Sequence, residues 1–313
     1  MNNDVKVIVF NKHSVGHLAR VPRFPLPGET IKAKVWEFGQ DAAKGTNAAV
    51  VLGRLGVPTA FIEKVGNDSG GEFGLKWLRE AGVDTSRFIL SDDIVTDQGV
   101  VIIRDDGENM IIGSAPHECY IKPSDIEEGI AAFPSAEFFV SGLEINHDMA
   151  LYACKYAKEC GKITILNASP LAKAIDDDLS YVDYLFVNEV EAAQLAGIPA
   201  GDDIGDVSGL PEKMTANYKP QKIVMTIGGE GCIIYDTKTG SQNLYPGYKV
   251  QAIDTVGAGD GFMAAFTAAL TWGYSEKDAC DFANKYGALV VQLYGSILVY
   301  PTLKEAEEGF KNL

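Results

Sequence analysis

Asp254-Thr-Val-Gly-Ala-Gly-Asp-Gly-Phe262 is the stretch that decides the fold. It runs from a turn into an apolar stretch, Phe262 to Leu270, that predicts a helix. The Gly257–Gly259 tripeptide leaves the backbone bare at the helix start, where unpaired N–H groups and the helix dipole suit an anion. Asp260 in the same turn is explained if it accepts a proton from a hydroxyl while the amides hold a phosphoryl group. A Gly-rich loop that merely starts a helix is the alternative.

Composition limits the classes of partner. The chain has 313 residues, of which 46% are hydrophobic and 22% are charged, as is ordinary for a globular protein with a large core. The formal net charge of −16 argues against nucleic acid or an anionic membrane as a partner. It fits a cytosolic enzyme that meets an anionic cofactor through a local site and a divalent cation, and it fits simple solubility equally well.

The cysteines and the N-terminal residues also favour a cytoplasmic location. The five cysteines are an odd number and no pair has Cys-x-x-Cys spacing, so neither a disulfide framework nor a zinc site is predicted. The segment from Met1 to Lys6 lacks the basic start and long apolar run of a signal peptide. We therefore expect a cytoplasmic protein with a single domain over residues 1–313.

Strand-like and helical patterns alternate along most of the chain. This alternation predicts an α/β fold with a mostly parallel sheet, covered by helices on both faces, whose ligands bind outside the carboxyl ends of the strands. The predicted strands are Val5–Phe10, Thr59–Val65, Glu137–Ser141, Ile163–Asn167, Tyr184–Asn188 and Ile223–Ile227. The predicted helices lie at about 45–56, 69–82, 123–132, 147–160, 189–197 and 204–218, followed by a hairpin at 231–245 and helices at 257–272 and 276–292.

Two regions break this alternation and predict a small separate sheet. Residues 14–38 carry Pro22, Pro25 and Pro27 between strand-like flanks, and residues 97–113 have the pattern of a hairpin that turns at Asp105-Asp-Gly107. Neither region has a helix to cover it. We expect the two to form a lid across the edge of the main sheet.

The segment Asp254–Asp260 resembles the C-terminal signature of the ribokinase (PfkB) family of carbohydrate kinases, and the resemblance covers nearly the whole chain. It implies a three-layer α/β/α ribokinase-like fold with a β-sheet lid, and ATP-dependent phosphorylation of a hydroxyl on a small sugar or sugar-like substrate, with Mg²⁺. Asp260 would be the general base, and the amides of Gly257, Ala258 and Gly259 would form an anion hole. In many members the lid also pairs two subunits, which implies a lid-mediated homodimer.

The N-terminal part carries elements that resemble the family's sugar site. Pro25–Thr30 resembles the Pro-x-Pro-Gly-Glu-Thr element of ribokinases, and Phe38–Ala49 resembles Gly-Gly-Lys-Gly-x-Asn-x-Ala. The resemblance assigns Lys44 and Asn47 to the sugar, and the amide of Asn47 offers a hydroxyl both a donor and an acceptor. An ordinary helix N-terminus is the alternative for this stretch.

The same region departs from the family pattern. Ala42 and Ala43 stand where the family has a glycine pair, and Ser14-Val15-Gly16 aligns with the family's Asn-x-Asp, whose aspartate holds two sugar hydroxyls. Ser14, Gly16 and Ala43 would therefore border the substrate without that aspartate, and plain ribose is not the expected substrate. The polar residues that would replace its contacts are His13, Ser14, His17, Gln40 and Asp41.

Motifs after the later strands complete the implied site. Glu144 matches an acid near the sugar, and Asn188 and Glu191 match the family's Asn-x-x-Glu, which approaches the phosphates and Mg²⁺ through water. Acids in the first turn of a helix are the alternative explanation of the pair, without a metal. The residues expected to border the nucleotide are Thr226, Gly228, Gly231 and Asn284. Carbonyls around Asp254 and Val256, with a loop near 294–296, would hold K⁺ in the family's manner.

Two other functions stay open at the level of sequence. One is a nucleoside kinase of the same family, which would need an aromatic stacking surface under the lid, for which Phe24, Trp36 and Phe38 are candidates. The other is a sugar-binding regulatory protein without catalysis, which the intact Asp260 argues against. No nucleic-acid or membrane partner is expected.

Overall fold

The computed structural model of the chain describes residues 4–106, 108–114, 121–199, 201–295 and 297–313. Within these residues the strands are, in chain order, β1 (Val7–Phe10), β2 (Val15–Val21), β3 (Val35–Ala42), β4 (Thr59–Gly66), β5 (Asp84–Ser91), β6 (Gln98–Arg104), β7 (Asn109–Gly113), β8 (Phe138–Gly142), β9 (Ile163–Asn167), β10 (Tyr184–Asn188), β11 (Lys222–Thr226), β12 (Gly231–Asp236) and β13 (Gln242–Pro246). The helices are α1 (Lys44–Arg54), α2 (Ser69–Glu80), α3 (Pro123–Ala131), α4 (His147–Glu159), α5 (Glu189–Leu195), α6 (Leu210–Met214), α7 (Ala258–Thr271), α8 (Glu276–Val290) and α9 (Leu303–Gly309).

The main sheet is mostly parallel, as predicted. Its strand order is β13-β12-β11-β10-β9-β8-β1-β4-β5, and the two antiparallel pairs are β11–β12 and β12–β13. The parallel strands end side by side: Gly142 lies opposite Asn167, and Asn188 lies opposite Thr226. The loops that leave these strands therefore converge at one edge of the sheet.

Helices cover both faces of this sheet and give three layers. Consecutive residues of β1 point to opposite faces, and all four are buried, as expected for a strand covered on both sides. Val7 and Val9 belong to the core shared with α1, α2, α7 and α8, whereas Ile8 and Phe10 belong to the core shared with α3 to α6. The three-layer α/β/α prediction is confirmed.

A separate sheet, which we call the small sheet, consists of β3-β2-β6-β7 in that order. Leu18, Val101 and Ile103 form its own small cluster of buried residues. The small sheet comes from the two regions predicted to form a lid, although β3 extends beyond them to Ala42. Gly107 of the predicted turn lies outside the described residues.

Two predictions about elements need correction. The helix expected over 204–218 is confined to a 3₁₀ turn at Val207–Gly209 and to α6, because Gly205 adopts a left-handed φ of 63° and Pro211 lies at the start of α6. Strand β5 is absent from the predicted strands, since its sequence mixes polar and apolar residues without strict alternation. Among the described residues, no helix is long and apolar enough to span a membrane.

Candidate active site

The site is built around the first turn of α7. Gly257 precedes the helix with a φ of 74°, a left-handed conformation that a residue with a side chain adopts only at a cost. Its carbonyl accepts a hydrogen bond at 3.0 Å from the hydroxyl of Tyr300, a residue outside the predicted motifs. The amide of Ala258 donates to the carbonyl of Thr255 at 3.2 Å, so its part in the predicted anion hole is weaker than that of Gly257 and Gly259.

Asp260 is buried and held by two residues of α1. Asn47 Nδ2 donates to Asp260 Oδ2 at 2.9 Å, and Lys44 Nζ lies 3.7 Å from Asp260 Oδ1. The negative charge of Asp260 is the main reason that the pKa of Lys44 is raised. Asn47 Oδ1 is buried and has no hydrogen-bond partner among the described residues, which leaves an acceptor for a ligand hydroxyl.

Glu144 joins this group from the loop after β8. Its Oε2 accepts a hydrogen bond at 2.7 Å from the amide of Lys44, the first residue of α1. Ala43, the residue before α1, offers no side-chain cap, so Glu144 supplies one across 100 residues of sequence. Burial raises the pKa of Glu144 to about 7, Lys44 opposes this shift, and the charge of Asp260 adds to it.

The raised pKa of Glu144 gives a testable pH dependence. Its ordinary value is 4.5 and its folded value is about 7, so folding favours the protonated form. Ionisation above pH 4.5 therefore costs stability, and the cost grows until pH 7, where it reaches at most about 3 kcal/mol. Relative to the Glu144→Gln variant, the wild-type free energy of unfolding should fall as pH rises from 4.5 to 7. Urea unfolding at several pH values in that range measures both free energies of unfolding. Parallel plots of the two free energies against pH would contradict the prediction.

Two cavities meet at the start of α7. The first, which we call the polar cavity, has a volume of about 670 Å³ and lies under β7. Its lining includes Asp41, Lys44, Asn47, Asn109, Ile111, Glu144, Asn167, Asn188, Glu191, Val256, Gly257 and Asp260. The second, which we call the apolar cavity, has a volume of about 550 Å³, and its lining includes Gly231, Tyr248, Val250, Phe262, Asn284 and Val291. Thr226, Gly228, Thr255 and Gly259 line both.

Asn188 and Glu191 lie in the polar cavity where β10 passes into α5. The Asn188 side chain accepts from the Glu191 amide at 2.8 Å, and Glu191 Oε2 accepts from the Asn188 amide at 2.9 Å. This reciprocal cap fixes both side chains and gives them a structural role. Their oxygens are the donors that Mg²⁺ prefers. The described residues contain no group of three or more His, Cys, Asp or Glu that would hold a metal alone, so water and phosphate oxygens would have to complete the set.

Of the predicted nucleotide residues, Thr226, Gly228, Gly231 and Asn284 line the apolar cavity, whereas Asn188 lines the polar cavity. Two of the four also shape the wall of the apolar cavity. Gly231 adopts a φ of 109°, and a Cβ there would stand 2.1 Å from the carbonyl oxygen of Tyr245. Asn284 Nδ2 donates to the carbonyls of Tyr245 and Pro246, both at 3.2 Å. The amide group of Asn284 therefore ties α8 to β13.

Asp254 holds two loops together beside the first turn of α7. Its Oδ1 accepts from the amide of Val256 at 3.0 Å, and its Oδ2 accepts from the amide of Gly295 at 3.1 Å. These are the two loops expected to supply carbonyls to a monovalent cation. Ser296, at the end of the second loop, lies outside the described residues.

Other predicted substrate residues do not line the polar cavity. His13 is a buried core residue, because its ring bonds to Thr46 Oγ1 at 2.8 Å and to the carbonyl of Gly70 at 3.0 Å, and burial lowers its pKa to about 4. Ser14, Gly16 and Ala43 are absent from the cavity lining, and His17 packs between Trp36 and Phe38.

The candidate aromatic residues do not line the polar cavity either. Phe38 packs on Phe73 of α2, and Phe24 lies under the guanidinium of Arg104. Trp36 is 64% exposed and lies on the outward side of the small sheet, which is the face opposite to that of Ile111. Asn109 and Ile111 of β7, by contrast, reach the cavity although they belong to none of the predicted motifs. Side chains alternate between the two faces of a strand, so residues 109 and 111 share a face, and this alternation is the sequence pattern that could have identified them.

Comparisons with known proteins agree on one family. The family model described as "pfkB family carbohydrate kinase" matches residues 17–303. A ribokinase of Staphylococcus aureus (strain COL) is 32% identical over 309 residues, which cover 97% of this chain and 99% of that protein. The structure of a ribokinase from Giardia lamblia, 24% identical, covers 99% of both chains with a TM-score of 0.87 and supports the fold. The structure of Arabidopsis thaliana ribokinase complexed with ribose and ATP is 25% identical, covers 98% of this chain and 99% of its own, and has a TM-score of 0.76.

Proposed function

Since the chain belongs to the pfkB family of carbohydrate kinases and is an ATP-dependent sugar kinase, we propose that it phosphorylates a primary hydroxyl of a small sugar or sugar-like substrate with Asp260 as general base. The observation that carries this proposal is the place of Asp260. It is buried at the first turn of α7, next to Asn47 and Lys44, where the polar and apolar cavities meet.

The two cavities divide the reactants between them. ATP would occupy the apolar cavity and direct its γ-phosphate toward Gly257 and Gly259, whose amides lie at the positive end of the α7 dipole. The acceptor hydroxyl would lie in the polar cavity beside Asp260, which takes its proton as the new P–O bond forms and the bond from the γ-phosphorus to the bridging oxygen of ADP breaks. Asn47 and Lys44 fix the carboxylate in place, so that it need not reorganise during the reaction.

Two ions fit residues of this site. Asn188 and Glu191 would hold Mg²⁺ through water and phosphate oxygens, and the ion would neutralise charge on the transferring group. Carbonyls near Asp254 and Val256 would hold K⁺, with Asp254 fixing both loops. Activity in potassium buffer compared with a large organic cation measures the second contribution.

The small-sugar assignment is favoured over a nucleoside. A nucleobase needs an aromatic stacking surface in the polar cavity, and the candidates Phe24, Trp36 and Phe38 do not line it. Phe186 does line it, but its ring is 3% exposed and packs against Phe262 and Phe266, so it offers little surface for stacking. The similarity to the Arabidopsis thaliana ribokinase, whose structure is a complex with ribose and ATP, also supports a sugar acceptor. A silent binding protein is disfavoured because both Asp260 and the Gly257-Ala-Gly259 turn are intact.

We also propose that the small sheet pairs two copies of the chain. Trp36, Ala19, Ile102 and Met110 form one cross-strand row on the outward side of the small sheet, and Trp36 and Met110 are 64% and 46% exposed. All residues of the edge strand β7 are exposed, and such an edge is open to pairing. A second copy would cover both features.

The dimer is testable by sedimentation velocity. The wild-type chain should sediment as a dimer at micromolar concentration, and Trp36→Glu should shift it to a monomer because a charge replaces the largest exposed apolar side chain of the row. Leu244→Glu is the matched control, since Leu244 is 60% exposed on the edge strand of the main sheet. Wild-type sedimentation as a monomer would contradict the proposal.

A further inference from the structure

Strands β2 and β3 of the small sheet approach closely at one pair of residues, where there is room for only one side chain. Gly16 on β2 lies opposite Asp41 on β3. A Cβ on Gly16 would stand 2.7 Å from Asp41 Cβ and 3.1 Å from Asp41 Oδ2. The two positions therefore cannot both carry side chains with this backbone, and the carboxylate of Asp41 occupies the space beside Gly16.

Strand β3 and helix α1 place Asp41 in the polar cavity. It is the penultimate residue of β3, and Ala43 alone separates that strand from α1, which carries Lys44 and Asn47. Asp41 lines the polar cavity together with Asp260 and is half-buried there. After burial, the negative charge of Asp41 contributes to the raised pKa of Tyr300, whose hydroxyl donates a hydrogen bond to the Gly257 carbonyl. Asp41 thus faces the same space as the proposed general base.

The charges around this space favour a neutral, hydroxyl-rich ligand. The described lining holds the carboxyl groups of Asp41, Glu144, Glu189, Glu191 and Asp260, of which Glu144 has a pKa raised to about 7 by burial, whereas its cationic side chain is Lys44. Lys44 is engaged by Asp260 at 3.7 Å. A ligand carboxylate or phosphate beside Asp41 would meet like charge at low dielectric, while hydroxyl groups would donate to it.

We propose that Asp41 is a specificity-determining substrate residue, whose carboxylate accepts hydrogen bonds from two adjacent hydroxyls of a neutral polyhydroxy substrate. Gly16 makes room for it, and sugar acids and sugar phosphates are excluded as acceptors. The inference rests on the proposed function, in that the ligand is the phosphoryl acceptor, but it concerns binding and has its own measurement.

The kinetic test compares Asp41→Asn and Asp41→Ala with the wild type on neutral sugars, polyols and the corresponding aldonic acids. Losing charge-assisted hydrogen bonds should raise KM for the preferred neutral substrate about 10- to 100-fold and leave KM for ATP unchanged. The ratio of kcat/KM for the neutral substrate to kcat/KM for the aldonic acid should fall. Glu37→Gln is the matched control, because it removes an exposed carboxylate from the same strand. The exchange Gly16→Asp with Asp41→Gly should recover part of the loss, whereas Gly16→Asp alone should not, since it meets Asp41.

A binding readout separates this inference from the proposed function. The increase in Tm caused by the neutral substrate without ATP should be equal in the wild type and in Glu37→Gln, and Asp41→Asn should need about 10- to 100-fold more substrate for the same increase. That result without any turnover would refute the kinase proposal and support the role of Asp41. Any of three results would overturn the inference. The sugar KM is unchanged in both Asp41 variants, or the wild type uses aldonic acids as efficiently as neutral sugars, or no sugar raises the Tm of the wild type. A purely structural Asp41 would lower Tm without changing sugar KM, and this outcome also overturns it.

Discussion

Replacing Asp260 with asparagine is expected to lower kcat by about 10²- to 10⁴-fold, while the affinities for ATP and for the sugar change little. Asparagine keeps the shape of the side chain, and its oxygen still accepts the hydrogen bond from Asn47 Nδ2, which is 2.9 Å in the wild type. It has no basic oxygen for the hydroxyl proton. The charge that Lys44 meets at 3.7 Å is also lost, so Lys44 is free to move.

ADP release from Mg-ATP is the measurement, with pentoses, hexoses, ketoses, polyols, sugar acids and nucleosides as acceptors. The wild type should turn over one class strongly, the Asp260→Asn variant should not, and Glu37→Gln should match the wild type. A near-normal rate in Asp260→Asn would remove Asp260 from the role of base. ATP binding without turnover of any acceptor in the wild type would favour the silent binding protein.

Replacing Gly231 with alanine is expected to cost about 3 to 5 kcal/mol of unfolding free energy. Gly231 has a φ of 109° and a ψ of −127°, which is a region that only glycine occupies without strain. The added Cβ would stand 2.1 Å from the carbonyl oxygen of Tyr245 and 2.5 Å from the amide nitrogen of Gly247. Relief of this overlap would push β13 away from β12 and displace the carbonyls that Asn284 binds.

Gly228 provides the matched control because it lines the same cavity. It has a φ of 54°, and a Cβ there would have no atom within 4 Å. Gly228→Ala should therefore cost only about 1 to 2 kcal/mol, which is the strain of a left-handed conformation. Urea unfolding of both variants measures the difference, and the KM for ATP should rise more in Gly231→Ala. Equal stability of the two variants would show that β13 yields without strain.

The parts of the site that sequence predicted best are continuous in the chain. The turn from Asp254 to Asp260 contains the proposed anion hole and the proposed base within seven residues, and its local conformation follows from glycines and a helix start. Asn188 and Glu191 are likewise set by one strand and one helix. The alternation of strands and helices was enough for the three layers, because each element buries a face of known period.

Contacts between distant segments could not be predicted from residues alone. Nothing near Glu144 indicates that its carboxylate caps α1, since the partner amide of Lys44 lies 100 residues away. Nor does the sequence around His13 indicate that its ring closes on Thr46 and Gly70 rather than on a ligand. The pairing of Gly16 with Asp41 depends on the register of β2 against β3, which a bulge between Gly16 and His17 shifts.

The first turn of α7 belongs to both cavities, since Gly259, Thr255 and the nearby Thr226 line each of them. If the two reactants occupy these cavities as proposed, both contact that turn, and a rearrangement of the turn that favours both would couple their binding. The two binding equilibria are then thermodynamically linked, and the factor by which ATP tightens the sugar must equal the factor by which the sugar tightens ATP. An idle enzyme with only one reactant bound would hold it more weakly than the ternary complex does, and this coupling would limit futile occupancy by either reactant alone.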